Sequence, residues 1–148
     1  MIIRQATVED IHILQTFEKK LRTYYKTIGE TVQVKRRSLE QIEKRIKGYL
    51  IAEINGKPVG TIYYKESVGC LALSHFWVNQ LHRKKGVGTA LFNKALEIGK
   101  ELGCTSAKLI VRDRNINAKN FYLKQGFLPG GTLMFLSLGD NEEVEEND

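Results

Sequence analysis

The segment of residues 70–112 constrains the fold most, because it sets four elements in immediate succession. An apolar run, CLALSHFWV, is followed by a basic turn with two glycines, a long amphipathic segment and a second apolar run, AKLIVR. Apolar side chains recur every three or four residues in the amphipathic segment, which ends before Gly103, as is typical of a helix. A strand, a helix and a strand of these lengths predict a right-handed parallel crossover. The turn then lies between the carboxyl end of a strand and the start of a helix.

The rest of the sequence predicts an α/β chain whose first half is mostly antiparallel. Asn55-Gly56 between two β-prone runs is a strong hairpin signal. The elements predicted before the crossover are a strand at 2–5, a helix from Thr7 with Asp10 at its third position, an irregular connection at 22–37, a helix from Ser38 to Gly48 and the hairpin strands. After it we expect a short helix at 117–125 and two closing strands, through Phe127 and at 132–138. The prediction is a mixed sheet of about seven strands flanked by about four helices.

Length and composition are those of one globular domain. The chain has 148 residues, of which 42% are hydrophobic and 27% charged, and these values do not fit a fibrous or disordered protein. No run approaches the roughly 18 apolar residues of a membrane span, and the first ten residues lack a cationic, then apolar, leader. We therefore expect a cytoplasmic protein without membrane association. Two cysteines and three histidines show no metal-ligand spacing, so no metal is expected.

The charge is unevenly distributed along the chain. Six of the 17 acidic residues lie in residues 139–148, so residues 1–138 hold 11 acids against 23 bases, a net charge of +12. The expected organisation is a single domain at 1–138 and a disordered acidic tail at 139–148. A basic body favours anionic partners, either a phosphate-bearing ligand or a nucleic acid. The basic residues are scattered over predicted helices, which is typical of solvated faces, so nucleic-acid binding is not expected.

The turn HRKKGVGTAL, residues 82–91, has the properties of a phosphate site. A helix start offers unpaired backbone N–H groups and a positive dipole end. Gly86 and Gly88 let the backbone approach an anion, and Arg83, Lys84 and Lys85 add charge. The Walker and dinucleotide glycine patterns do not match. On these residues alone, a basic loop whose glycines merely turn the chain remains the alternative.

A second motif, VRDRNINAKNFYLKQGF, occupies residues 111–127. Ala118 and Tyr122 are four residues apart and share one face of the predicted short helix. Gly126 ends that helix, and Phe127 turns into the core. Taken alone, Tyr122 fits a packing aromatic residue better than a catalytic one, and Asn115 and Asn117 fit ordinary cap or turn residues.

Together the two motifs resemble those of the GCN5-related N-acetyltransferase (GNAT) family, which transfers acetyl groups from acetyl-CoA to amines. The family's phosphate pattern is Gln or Arg, two residues, Gly, one residue, then Gly or Ala. Its second pattern is Asn, two residues, Ala, three residues, Tyr, three residues, Gly-Phe. The positions that match these patterns are Arg83, Gly86 and Gly88 for the first, and Asn115, Ala118, Tyr122, Gly126 and Phe127 for the second.

The resemblance implies a GNAT fold splayed between the fourth and fifth strands, with acetyl-CoA as cosubstrate. It also implies that an amide near Val78 polarises the thioester carbonyl and that Tyr122 protonates the leaving thiolate. The residues expected to bind the cofactor are Trp77, Val78, Arg83, Lys84, Lys85, Gly86, Val87, Gly88, Thr89, Asn115 and Asn117. The expected enzyme is an acyl-CoA-dependent N-acyltransferase that acetylates a primary amine of a small molecule or peptide by direct attack. Homodimers are common in the family, and the sequence leaves that state open.

The sequence does not supply an obvious general base. Many family members use a Glu on the central strands, but CLALSHFWV and AKLIVR contain no carboxylate. Ile110 stands where enzymes that acetylate protein N-termini often carry a Glu, which argues against that substrate. His75 is the candidate base, with Glu53 and Glu66 as alternatives. Because of this gap, a CoA-binding regulatory module without turnover remains the second hypothesis.

Overall fold

A mixed sheet with helices on both faces forms the body of the protein. The computed structural model describes residues 1–30, 36–136 and 138–139. Its five strands lie in chain order within one sheet. The elements are β1 (Ile2–Gln5), α1 (Ile11–Thr27), α2 (Leu39–Lys44), β2 (Tyr49–Ile54), β3 (Lys57–Ser67), β4 (Cys70–Val78), α3 (Val87–Glu101), β5 (Ser106–Leu109) and α4 (Ile116–Lys124).

The strand pairing follows the predicted order. Strands β1 to β4 pair antiparallel, and β5 pairs parallel to β4 after the α3 crossover. Asn55 and Gly56 both have positive φ, 52° and 75°, as a two-residue hairpin turn of the favoured twist requires. The predicted hairpin and crossover are therefore both confirmed.

Two apolar clusters cover the two faces of the sheet. On one face α3 and α4 pack on the strands, and the α3 stripe of Val87, Leu91 and Ala95 is buried there. On the other face α1 and α2 cover a smaller cluster, which includes Leu14, Ile42, Tyr49, Ile51 and Tyr63. This division matters for the site, because each side chain of β4 faces one helical layer or the other.

A bulge in β4 changes which side chains face each layer. The pairing register between β3 and β4 shifts between Thr61 and Tyr63 of β3. His75 lies on β4 opposite this point and has a φ of +51°. Leu71 and Leu73 pack in the α3 cluster before the bulge, and Phe76 and Val78 pack there after it. The extra residue therefore turns His75 toward α1 and α2.

Two sequence predictions about the elements are wrong. The connection predicted at 22–37 is helical as far as Thr27, because Tyr24 packs on Trp77 and stays within the α1 contact surface. The described residues 127–136 form no strand, so the two closing strands expected there are not found in this part of the chain. Leu128 and Met134 are each 86% exposed there. The prediction of strands rested on the apolar residues alone, and in the described residues no neighbouring strand pairs with this segment.

Other sequence predictions concern membranes, metals and the tail. None of the helices in the described ranges combines the length and apolarity that a membrane span needs. The described residues also hold no group of three or more histidine, cysteine, aspartate or glutamate side chains placed to bind a metal. The predicted acidic tail, apart from Gly139, lies outside the described residues.

Candidate active site

The candidate site begins where β4 and β5 separate. Their parallel pairing ends at Leu73 and Leu109, while β4 continues five residues further to Val78. Asn79 N donates to Val59 O at 2.8 Å on the β3 side, so the backbone of its neighbour Val78 faces the opposite, open edge. The splay expected between the fourth and fifth strands is thus present, and it leaves a main-chain edge of β4 free to pair. We call the opening between this edge of β4 and the end of β5 the slot.

The predicted phosphate turn lies at the end of this edge. Gly86 is the N-cap of α3 with a φ of +84°, and the helix begins at Val87. The Lys84 backbone is also left-handed, and Lys84 and Lys85 are exposed. The first amides of α3 have no intrahelical partners, so the turn presents N–H groups and two ammonium groups to an anion.

Gly88 has a packing role that the sequence did not reveal. A Cβ at this position would lie 2.9 Å from Cζ of Phe76. Phe76 stacks on Phe121 and meets Phe92 edge-on, with ring centroids 5.6 and 5.1 Å apart. The missing side chain therefore lets the start of α3 sit directly on an aromatic cluster beneath the slot.

The Arg83 side chain packs against the end of β4. Its Nε donates to Val78 O at 2.9 Å, and its guanidinium lies 4.7 Å from the Trp77 ring centroid. The side chain thus braces the end of β4 and occupies the Val78 carbonyl. The expected role of Arg83 in cofactor binding stays a prediction, as do those of Lys84 and Lys85.

Trp77 and Asn115 connect α1 to the slot. Asn115 is buried, caps α4 by accepting from Ala118 N, and accepts from the Tyr24 hydroxyl at 3.3 Å. Asn117 is exposed on the first turn of α4. Trp77 forms one wall of a groove of about 460 Å³, which is otherwise lined by Thr16, Lys19, Lys20, Thr23, Tyr24 and Thr27.

Tyr122 lies on the α3 side of the slot among aromatic rings. Its ring centroid is 5.5 Å from that of Phe92, 6.0 Å from Phe127 and 6.4 Å from Phe76. Burial, with a smaller contribution from Tyr25, raises the pKa of the phenol above its usual value. The hydroxyl is therefore protonated at neutral pH and available as a proton donor.

A buried polar cluster lies on the opposite side of the slot. Glu18 of α1 is 5% exposed, and its Oε1 accepts from the Tyr49 hydroxyl at 2.7 Å and lies 3.4 Å from Arg37 Nη1. Arg37 Nη1 also donates to His75 Nε2. Glu18 is not among the site residues predicted from the sequence; a carboxylate among buried helix positions is the signal that could have singled it out.

The contacts of His75 oppose its assignment as the base. Its Nε2 lone pair accepts from Arg37, and the remaining proton lies on Nδ1, 2.9 Å from Ser74 Oγ. Burial, reinforced by the charges of Arg37, Arg45 and Arg22, lowers the pKa of His75 to about 3. Such an imidazole is neutral at pH 7 and too weakly basic to hold a proton taken from an amine.

This low pKa predicts a pH-dependent stability. The unfolded imidazole has a pKa near 6.5, so below that pH protons bind the unfolded chain and the stability falls until the pH reaches about 3. We expect a loss of about 2 kcal/mol in the free energy of unfolding between pH 7 and pH 5. Urea unfolding of the wild type and His75→Gln measures this loss. Equal losses in both proteins would contradict the prediction.

The alternative bases lie away from the slot. Glu53 forms a 2.6 Å ion pair with Arg4 at the β1 side of the sheet. Glu66 accepts from Gly69 N at 3.0 Å in the β3–β4 turn. Neither carboxylate can reach an amine at the open edge of β4.

A protein-family model matches the sequence that forms this site. The family model described as acetyltransferase (GNAT) family matches residues 12–127, which is most of the chain. The chain belongs to the GNAT family. The fold expected from the two sequence motifs is thereby confirmed, with five described strands instead of seven.

Several GNAT relatives have curated names. An uncharacterized N-acetyltransferase of Methanocaldococcus jannaschii is 31% identical over 134 residues, 84% of this chain and 59% of that protein. Streptothricin acetyltransferase A of Bacillus subtilis is 31% identical over 106 residues, 70% of this chain and 61% of that protein. The chain thus spans about three fifths of the length of these two relatives.

Solved structures of GNAT proteins share the fold. The PaiA N-acetyltransferase of Thermoplasma acidophilum, in complex with coenzyme A, has a TM-score of 0.79 at 21% identity, covering 88% of this chain and 91% of its own. N-acetylglutamate synthase of Neisseria gonorrhoeae, complexed with coenzyme A and N-acetyl-glutamate, has a TM-score of 0.71 at 18% identity, covering 84% of this chain and 27% of its own. Identities this low establish a common fold.

Proposed function

We propose that the protein is an N-acetyltransferase that transfers an acetyl group from acetyl-CoA to a primary amine of a small molecule or peptide. The observation that carries the proposal is the free main-chain edge of β4, which runs from Leu73 to the phosphate turn at Gly86. Family membership supports the reaction class. The coenzyme A in the Thermoplasma and Neisseria structures supports the choice of donor.

The residues of the slot suit an extended donor that carries a diphosphate. The β4 edge at Ser74–Val78 does not pair with β5, and apart from the Val78 carbonyl, which accepts from Arg83, its outward backbone groups suit an amide-containing arm. The amides at Val87, Gly88 and Thr89 suit phosphate oxygens. Lys84 and Lys85 contribute positive charge, while Asn115 and Asn117 border the slot at the start of α4. Acetyl-CoA supplies the activated acetyl thioester.

Two groups flank the expected reaction centre. The Val78 N–H at the open edge would stabilise negative charge that develops on a thioester oxygen, a contribution of several kcal/mol in similar sites. On the α3 side, the protonated Tyr122 hydroxyl would deliver a proton to the departing sulfur. In this proposal His75 transfers no proton, because its Nε2 already accepts a hydrogen bond from Arg37.

Two matched glycine variants test the binding of the donor. Gly86 and Gly103 stand at opposite ends of α3, have φ values of +84° and +85°, and have open space where a Cβ would be added. Both alanine variants should lose on the order of 1 kcal/mol of stability, because both strain a left-handed residue. Only Gly86→Ala crowds the phosphate turn, so we expect its acetyl-CoA Kd to rise roughly tenfold in calorimetry, a loss of about 1.4 kcal/mol.

The same experiment has outcomes that overturn the proposal. No heat of binding with wild-type protein at on the order of 1 mM acetyl-CoA would exclude the donor. Equal affinities for the two variants would remove the phosphate turn from the site. Binding without thiol release across amino acids, amino sugars, polyamines and peptides would instead favour a CoA-binding regulatory module.

A further inference from the structure

We infer that the acceptor carries an acid group close to its amine, and that Arg37 binds that acid group beside the slot. This inference rests on the proposed acetyl transfer and names the class of amine: amino acids rather than polyamines. It comes from the cluster of Glu18, Arg37, Arg45 and His75 on the α1 side of the sheet.

The cluster lies next to the expected reaction centre. His75 is two residues beyond Leu73, the last β4 residue paired with β5. Its side chain contacts Arg37, which precedes α2, and meets the Tyr63 ring edge-on at 6.1 Å. A group bound at Arg37 therefore lies beside the edge where the thioester is expected, on the face opposite Tyr122.

Arg37 retains unused hydrogen-bonding capacity. The Arg37 side chain is 19% exposed. The same atom, Nη1, contacts both Glu18 and His75. Within the described part of the chain, its Nε and Nη2 have no hydrogen-bond partner. These two N–H groups form the side of a guanidinium that binds carboxylates through two parallel hydrogen bonds.

Arg45 adds a second cation, for which the described residues show no carboxylate partner. Its guanidinium stacks 4.0 Å above the centroid of the Tyr63 ring. Its Nε is buried and, among the described residues, has no hydrogen-bond partner. Among the described residues of the cluster, Arg37 and Arg45 face one carboxylate, Glu18, and an acid group on the acceptor would neutralise the excess positive charge of these three groups.

Arg4 shows how another partly buried guanidinium group of this chain pairs with carboxylates. Arg4 is 30% exposed, and it still pairs with Asp10 at 2.7 Å and Glu53 at 2.6 Å. Arg37 is less exposed, and its one carboxylate contact is at 3.4 Å. Glu18 Oε1 is already shared with the Tyr49 hydroxyl, so the cluster has little capacity left for a polycationic acceptor.

The acceptor amine attacks in its neutral form, after its ammonium group has lost a proton to water. The amine nitrogen then bonds to the acyl carbon, the C–S bond breaks, and the sulfur leaves with its electron pair. The nitrogen loses one proton to water, and the sulfur gains one from Tyr122, which water reprotonates.

Pairs of acceptors that differ only in the acid group test this inference. Thiol release is measured with glycine and glycinamide, 4-aminobutyrate and 4-aminobutanamide, and lysine and cadaverine. We expect kcat/KM to be higher for the acid member of at least one pair by on the order of tenfold or more, the equivalent of one charge-assisted hydrogen bond. Arg37→Gln should abolish that preference, and Arg36→Gln, at its exposed neighbour, should leave it unchanged.

The ratio of the two rates is independent of the folded fraction, so partial unfolding of Arg37→Gln does not obscure the result. Equal or faster turnover of the members without an acid group would overturn the inference and leave acetyl transfer intact. A preference that survives in Arg37→Gln would overturn the role of Arg37. Turnover of amino sugars, polyamines or peptides with no turnover of any of the acid members would overturn the inference and leave acetyl transfer intact. Acetyl-CoA binding with no turnover of any amine in that wider panel would overturn the proposed function, and the inference with it.

Discussion

Replacing Tyr122 by phenylalanine is expected to lower kcat on the order of 100-fold to 1,000-fold, the range that a positioned general acid contributes. The acetyl-CoA Kd should change by less than about twofold, because the phosphate turn and the β4 edge are untouched. Without the hydroxyl, the thiolate has to leave as an anion or take its proton from water. The loss should therefore appear in kcat and not in donor binding.

The contacts around Tyr122 should be preserved in the phenylalanine variant. The phenyl ring can keep its contacts with Phe76, Phe92 and Phe127, and removing a buried hydroxyl leaves no cavity larger than one atom. Tyr64→Phe is the matched control, because its hydroxyl contacts Gln5 and Lys47 at the far side of the sheet. Thiol-release kinetics and calorimetry on both variants separate the two effects. An unchanged kcat in Tyr122→Phe would remove the acid role.

The elements around the slot could be predicted because local signals specify them. The Asn55-Gly56 turn requires positive φ at two residues, and the α3 stripe has a helical period, so each pattern has one favoured structure. The closing strands could not be predicted in the same way. An apolar run at 132–136 fits a strand only if a neighbouring strand pairs with it, and no local signal specifies that neighbour.

The residues of the proposed donor site could be found in the sequence, and those of the proposed acceptor site could not. Gly86 and the start of α3 are adjacent in the chain, so their chemistry could be read as one motif. Glu18, Arg37 and His75 come from α1, the segment before α2, and β4, and the β4 bulge at His75 is what brings them together. A bulge depends on pairing between strands, so residue spacing cannot reveal it.

Replacing Glu18 by alanine is expected to reduce the free energy of unfolding by about 3 to 5 kcal/mol, the usual cost of breaking a buried charge pair. The substitution leaves the fully buried Tyr49 hydroxyl without its acceptor and Arg37 without its carboxylate. Glu18→Gln keeps an acceptor for Tyr49 and loses only the charge, so its loss should be smaller. Urea unfolding at pH 7 of the wild type and both variants gives the three free energies.

Glu97→Ala is the matched control for a helical glutamate paired with a cation. Glu97 is 58% exposed and lies 3.5 Å from Lys94, so its loss should stay below about 1 kcal/mol. A cost for Glu18→Ala no larger than this would show that the buried cluster does not stabilise the fold. If the larger cost is found, a cycle with Tyr49→Phe measures the Tyr49–Glu18 coupling, because the two residues share one hydrogen bond. Glu18 then stabilises the fold and also fixes the position of Arg37, since removing the carboxylate frees the guanidinium beside His75.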